Sequence, residues 1–173
     1  MSYLKKYTIE YLGLSLDNHI FEFEINEKFF SHFENSQIQR CNIQLQLEVA
    51  KKERMMILDF NFKGEIEVTC DRCSDEFMFP IETTEQLIVK FGSEHNEESE
   101  DVIVLADTEY QFNLTEYIYD FIHLALPIKV VHPDDEDGNS GCNAEVLKIL
   151  NSVAITQEED PRWETLKKLK GNL

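Results

Sequence analysis

Cys70-Asp71-Arg72-Cys73 is the sharpest chemical feature of the sequence. Two thiolates separated by two residues can face one metal ion from a tight turn, which is half of a zinc-ribbon site. A full tetrahedral site needs two more ligands, and the chain has no second close cysteine pair. Cys142 is the best third candidate, with His132, ten residues earlier, as the fourth. Cys41 opens an alternating apolar run and reads better as a small core residue. A thioredoxin-like redox pair is the competing reading. That chemistry wants a helix N-terminus within a βαβ unit, whereas this pair lies among strands with Asp71 and Asp75 opposing a thiolate. A turn held by two cysteines without metal or redox chemistry is the third reading.

Other chemistry has less support. The five histidines are scattered, none in a helix-borne metal motif, and His123 lies off the apolar face of its segment. The six glycines form no phosphate-cradling loop. The Asp134–Asp137 run could attract calcium, but its spacing is not that of an EF-hand, so it reads as a solvated loop. Nothing in the pattern specifies a catalytic residue, and an enzyme is not expected.

The elements that must position the cysteines read first as strands. Phe21, Phe23 and Ile25 alternate with Glu22 and Glu24, and Ile43, Leu45, Leu47 and Val49 alternate with polar residues. Phe29, Phe30 and Phe33 suit a helical turn between these two runs. Met56–Phe62 forms another alternating run, and Ile66, Val68 and Cys70 a separate short one after Gly64. Phe77 and Phe79 suggest a strand ended by Pro80, with Leu87–Phe91 and Val102–Leu105 as a further pair. Such closely spaced runs predict an antiparallel meander, since parallel pairing needs longer crossovers. Glu94–Asp101 reads as a solvated acidic loop, or as an acidic docking segment.

At Asn113 the period changes. Leu114, Tyr117, Ile118, Phe121 and Ala125 share a helical face, with Asn113 as cap, Glu116 at the capping-box position and Pro127 as stop. A short helix is expected from Ala144 to Leu150. The expected fold is α+β: a mainly antiparallel, barrel-like sheet with two or three C-terminal helices. Residues 1–150 read as one domain and 151–173 as a linker plus an amphipathic helix. That helix starts at Asp160-Pro161 and carries Trp163, Leu166 and Leu169 at intervals of three.

The chain has 173 residues, enough for a sizeable core without disulfides. Thirty-four acidic residues against 16 basic ones give a net charge of −18. A broad phosphate-gripping surface is therefore excluded, while a basic protein partner is favoured. Basic residues do gather in the tail, where Arg162, Lys167, Lys168 and Lys170 accompany Trp163 and could contact RNA or an acidic partner. No stretch is apolar enough to span a membrane, the N-terminus does not read as a signal peptide, and four cysteines make no secreted framework. A reducing cytoplasm is the expected location.

Several segments together resemble one family. Val68-Thr69-Cys70-Asp71-Arg72-Cys73 is similar to the C-x-R-C element of the DUF177 or YceD-like family, also called the large ribosomal RNA subunit accumulation family. Leu114–Val131, containing Leu126-Pro127, resembles its stretch leading into a leucine-proline element. Asp160-Pro161-Arg162-Trp163 followed by Leu166-Lys167-Lys168-Leu169 looks like its ending. The resemblance runs from about Gly64 onward. It implies a cytoplasmic, non-enzymatic factor needed for 23S ribosomal RNA accumulation and large-subunit assembly. It also implies a link to ribosomal protein L32, whose gene commonly neighbours those of the family. Many members carry a second cysteine pair where this chain has Cys142 alone beside its acidic insert. Cys70, Cys73 and Cys142 thus carry over as candidate zinc ligands or remnants, with His132 added by the residue reading above. Arg72 carries over as a structural or contact residue. A basic ribosomal protein, a 23S rRNA precursor or both are the expected partners. The alternative is a cysteine-dependent zinc-binding or redox protein unrelated to ribosomes.

Overall fold

The computed structural model describes residues 3–155 apart from 35, 94, 100 and 136, with the backbone alone at 97, 98, 154 and 155. The chain divides into two compact units, Met1–Thr69 with Glu76–Val130, and Cys70–Asp75 with Val131–Leu173.

The first unit is built on an open six-stranded sheet. Its strands are β2 (Asn18–Asn26), β3 (Cys41–Lys51), β4 (Met55–Thr69), β5 (Glu76–Gly92), β6 (Asn96–Ser99) and β7 (Val102–Ala106). They lie in the order β2-β3-β4-β5-β7-β6, so β2 and β6 are edges and the expected barrel does not close. A two-residue strand, β1 (Thr8–Ile9), pairs separately with β8 (Phe112–Asn113). The period-two pattern sorts the sheet's faces. Ile43, Leu45, Leu47 and Val49 of β3 and Met56, Leu58, Phe60 and Phe62 of β4 are all buried on one face. The other face shows Asn42, Gln44, Gln46 and Glu48 to solvent.

Three boundaries differ from the sequence reading. Gly64 does not separate two strands, because β4 runs straight through it. Gly64 sits opposite Ile43, and a Cβ there would lie 2.1 Å from the Asn42 carbonyl oxygen, so glycine permits a close strand approach. Pro80 does not end β5 either. β7 pairs only with Ile88–Gly92, which leaves β5 a free edge at Pro80 where no N–H is needed. The acidic segment is not all loop, since Asn96–Ser99 forms β6 against β7. That strand occupies the connection and lets β7 lie parallel to β5, the one parallel pairing among the described strands of a sheet that is mainly antiparallel, as expected.

Helix α2 (Thr115–Ala125) covers the apolar face. The Asn113 side chain accepts from the Thr115 N–H at 2.9 Å, satisfying a first-turn donor. Ile118 and Ile122 are fully buried, and the Phe121 ring meets Phe60 edge-on at 5.1 Å. The short helix α1 (Glu27–Phe30), capped by Asn26, seats Phe29 against Tyr7 and Phe30. Tyr7, buried, donates its hydroxyl to the Glu24 carbonyl, and burial pushes its pKa well above the ordinary value. Lys51 secures the N-terminal turns by donating to the carbonyls of Tyr11 at 2.8 Å and Leu14 at 2.7 Å.

In the second unit, α3 (Ala144–Ile155) extends five residues beyond the expected Leu150. Val153 continues the apolar spacing, and the Ser152 hydroxyl donates back to the Ile149 carbonyl instead of breaking the helix. The tail helix expected from Asp160 lies outside the described residues.

The Gly64 contact is testable by urea denaturation. Gly64→Ala should lower stability by about 1–3 kcal/mol, because the clash is with backbone. Gly13→Ala, with nothing within 4 Å of the added Cβ, should change stability by less than about 0.5 kcal/mol. Equal effects at the two sites would contradict the assigned register.

Candidate metal centre

The second unit is organised around four side chains. The first two come from the six-residue connection between β4 and β5. There the Cys70 N–H donates to the Asp75 carbonyl at 2.9 Å, and the Ser74 N–H donates to the Cys70 carbonyl at 2.9 Å. Ser74 takes φ 63°, the left-handed conformation that turns the chain back. The Arg72 N–H approaches the Cys70 Sγ at 3.4 Å. Both thiols are buried by this turn.

The other two side chains flank a second turn. Asp134 and Ser140 form an antiparallel bridge, and the Gly141 N–H donates to the Pro133 carbonyl at 3.2 Å. Asp135 knits the loop. Its carboxylate accepts from the Asn139 N–H at 2.7 Å, the Asn139 side chain at 3.1 Å and the Asp137 N–H at 3.0 Å. Those Asn139 donors, helped by the Asp137 and Gly138 N–H groups, hold the Asp135 carboxyl below its ordinary pKa against the opposing effect of desolvation. Gly138, at φ 80°, closes the turn. The acidic insert is therefore a solvent-exposed loop, as expected, and its internal hydrogen bonds fold His132 back beside Cys142.

The ligand atoms of Cys70, Cys73, His132 and Cys142 all lie within 4.8 Å of one another. The Cys70 and Cys142 sulfurs are 3.7 Å apart, and the Cys73 Sγ is 3.4 Å from the His132 Nδ1. Zn–S bonds of about 2.3 Å and Zn–N bonds of about 2.0 Å, at tetrahedral angles, imply edges of about 3.8 Å and about 3.5 Å. The donor set and its dimensions thus fit one Zn²⁺, and all three cysteines are buried. Zinc held there would supply a structural cross-link between the two turns.

Neighbouring groups brace the arrangement. The Arg72 guanidinium donates to the Ser140 hydroxyl at 3.1 Å, and that oxygen also accepts from the Cys142 N–H at 3.3 Å. Asn143 caps α3 by accepting from the Glu145 N–H at 3.0 Å while its amide donates to Asp75 at 3.2 Å. Asn143 was not singled out in the sequence, although an asparagine just before an apolar run is a cap signal. Ser140 carried no signal, because its role depends on two chain segments meeting.

The thiols differ electrostatically. At Cys70 burial raises the pKa, but the backbone N–H groups of Cys73, Arg72 and His132 and the His132 side chain outweigh it, bringing the value to about 5. At Cys73 burial dominates and the Cys70 and Cys142 side chains add to it, so the pKa is raised despite N–H groups from Asn143 and Asp75. Cys41 lies elsewhere, in the core of the first unit, where burial and then Glu27 push its thiol up to about 12. Of the residues considered for partner contact, Arg72 is an exposed brace, while Arg162, Trp163, Lys167 and Lys168 lie outside the described residues.

The family model described as "Large ribosomal RNA subunit accumulation protein YceD" matches residues 58–170, about two thirds of the chain. The chain belongs to the YceD family. The match begins inside β4 and takes in all four candidate ligands and the basic tail. No curated protein matches the chain, and no solved structure does. The family's name points to a role in large ribosomal RNA subunit accumulation. Among the described residues, no helix is long and apolar enough to cross a membrane.

The thiol assignments predict an order of alkylation in the metal-free protein. Iodoacetamide at pH 7 should modify Cys70 well before Cys41, since the first is largely thiolate there and the second is not. The Cys70 rate should fall as pH drops through about 5, measured by peptide mass spectrometry. Earlier labelling of Cys41 would contradict the assignment.

Proposed function

We propose that this YceD-family chain supports 23S rRNA accumulation and large-subunit assembly in the cytoplasm by binding, with no catalytic step of its own. The observation that carries the reading is the family match. Charge supports its mechanism. At −18 the chain repels bare RNA and attracts cationic protein segments over distances near the Debye length of about 10 Å. The solvent face of the sheet carries Glu22, Glu24, Glu48, Asp59 and Glu82 around Lys63. We take a basic ribosomal protein of the L32 type as the partner of such acidic surface. The tail residues Arg162, Lys167 and Lys168 are then left to touch rRNA phosphates.

Within this function the Cys70–Cys73–His132–Cys142 cluster is a structural zinc site. It compensates the three thiolates it gathers and ties two turns that have few apolar side chains between them. The second turn brings a thiol to Cys70 and a histidine to Cys73, a four-donor set that suits a closed metal site better than a two-thiol redox pair.

Depletion of the protein should produce immature large subunits in a sedimentation profile. Pulldown from lysate should recover a basic ribosomal protein, in amounts that fall as salt rises. A normal profile, or salt-insensitive capture of rRNA with no ribosomal protein, would sink this function.

The metal assignment has its own test by native mass spectrometry. The purified chain should carry one Zn²⁺, and Cys142→Ser or His132→Ala should abolish stoichiometric binding. Arg72→Ala should weaken affinity by roughly 10–100-fold through loss of the Ser140 brace. An unmetallated chain that resists zinc titration would refute the assignment.

A further inference from the structure

The first unit has a groove of about 410 Å³ where the N-terminal turns meet the β3–β4 turn and the segment after β7. Its volume falls within the range of about 300–1,000 Å³ that binding clefts occupy. Leu12 and Leu16 line it, and they are 67% and 60% exposed. Phe91 lines it too, its ring stacked on buried Tyr11 at 5.2 Å. Leucines left in water beside an aromatic floor, with polar groups around them, mark an interaction surface.

Hydrogen bonds behind the lining hold its shape. The Tyr11 hydroxyl donates to the Glu109 carbonyl at 2.8 Å, and the Leu12 N–H donates to the Tyr110 carbonyl at 3.4 Å. The Phe91 N–H donates to the Arg54 carbonyl at 3.0 Å. A cleft fixed in this way loses little freedom when a ligand enters.

The charge of the lining narrows the ligand. Glu53, Asp107 and Glu109 supply three carboxylates against one cation, Lys51. That ammonium is already committed, since it donates to the carbonyls of Tyr11, Leu12 and Leu14. Glu109 meets the His95 Nδ1 at 3.5 Å, whereas among the described residues Glu53 and Asp107 have no ion pair. Lys52 and Arg54 flank Glu53 in its turn but do not line the groove. A nucleic-acid phosphate or an anionic headgroup is repelled by such a rim. An apolar side chain with ammonium or guanidinium neighbours satisfies the floor and the rim together.

We propose that this groove docks a protein segment in which an apolar side chain is flanked by lysines or arginines. The apolar group sits against Leu12, Leu16 and Phe91, and its basic neighbours meet Glu53 and Asp107. The proposal rests on the binding function proposed above and adds an apolar anchor to the charge on which that function relies.

Fluorescence anisotropy of the full-length protein with a labelled peptide, a leucine pair set between lysine–arginine pairs, tests the groove. Binding should weaken as salt rises, and by about tenfold when serines replace the peptide's leucines. Leu12→Ser combined with Leu16→Ser should cause a similar loss without unfolding the chain, because both side chains are exposed. Asp107→Lys should weaken binding comparably. Glu34→Lys, an equal change of charge in the turn after α1, should alter it by less than about twofold. The groove is overturned if the serine peptide binds equally well, if Glu34→Lys matches Asp107→Lys, or if the leucine peptide does not bind. It is also overturned if the leucine substitutions abolish self-association or capture of an RNA oligonucleotide in place of peptide binding, which would make a second copy or RNA the occupant. The ribosomal function is judged separately by the depletion profile. Groove-dependent peptide binding alongside normal large subunits would sink that function and leave the groove standing.

Discussion

The long β4–β5 ladder is the constraint on which the rest depends. Fifteen consecutive pairs, from Met55↔Lys90 to Thr69↔Glu76, set which side chains enter the core and where the chain reverses. A slip of one residue would move Met56, Leu58, Phe60 and Phe62 to the solvent face and displace the Cys70–Asp75 turn with them. Two residues usually unwelcome in strands are tolerated for local reasons. Gly64 fits because β3 comes too close for a side chain, and Pro80 fits because, among the described residues, β5 has no strand partner on that side. The buried face thus stays continuous across both.

The second unit solves a different problem. Its turns bury three cysteines but contribute nothing to the large apolar cluster, which belongs to the first unit. What organises it is polar: Asp135 closing one hairpin, Ser74 bending the other, Arg72 and Asn143 bracing them together. Such a framework converges donors without a core behind them, and a small unit of that kind gains most from a bound metal. Membership of the YceD family points to a role in large ribosomal RNA subunit accumulation.

Much of this was legible in period and spacing. The alternation of Ile43–Val49 and Met56–Phe62 marks half-buried strands because side chains in a strand point to alternate faces. The Leu114–Ala125 run marks a helix because its apolar residues return every three or four positions. Boundaries were less legible. Gly64 and Pro80 break strands in general, and only the neighbours they actually meet decide otherwise. Asn96–Ser99 reads as charge-rich loop because a short edge strand needs a partner ladder more than an apolar face.

What the sequence determined by itself was local: the alternating faces, the cap-and-stop signals of α2, the thiol pair two residues apart, and the net negative charge. Each depends on residues within a few positions of one another, where backbone geometry dictates the outcome. What only tertiary structure decided was which distant groups meet. His132 and Cys142 join Cys70 and Cys73 because a hydrogen-bonded hairpin folds ten residues back on themselves and turns both side chains towards the first turn. The parallel placement of β7 and the open sheet likewise depend on pairings between separated segments, and the energies that choose among such pairings are absent from any short stretch of chain.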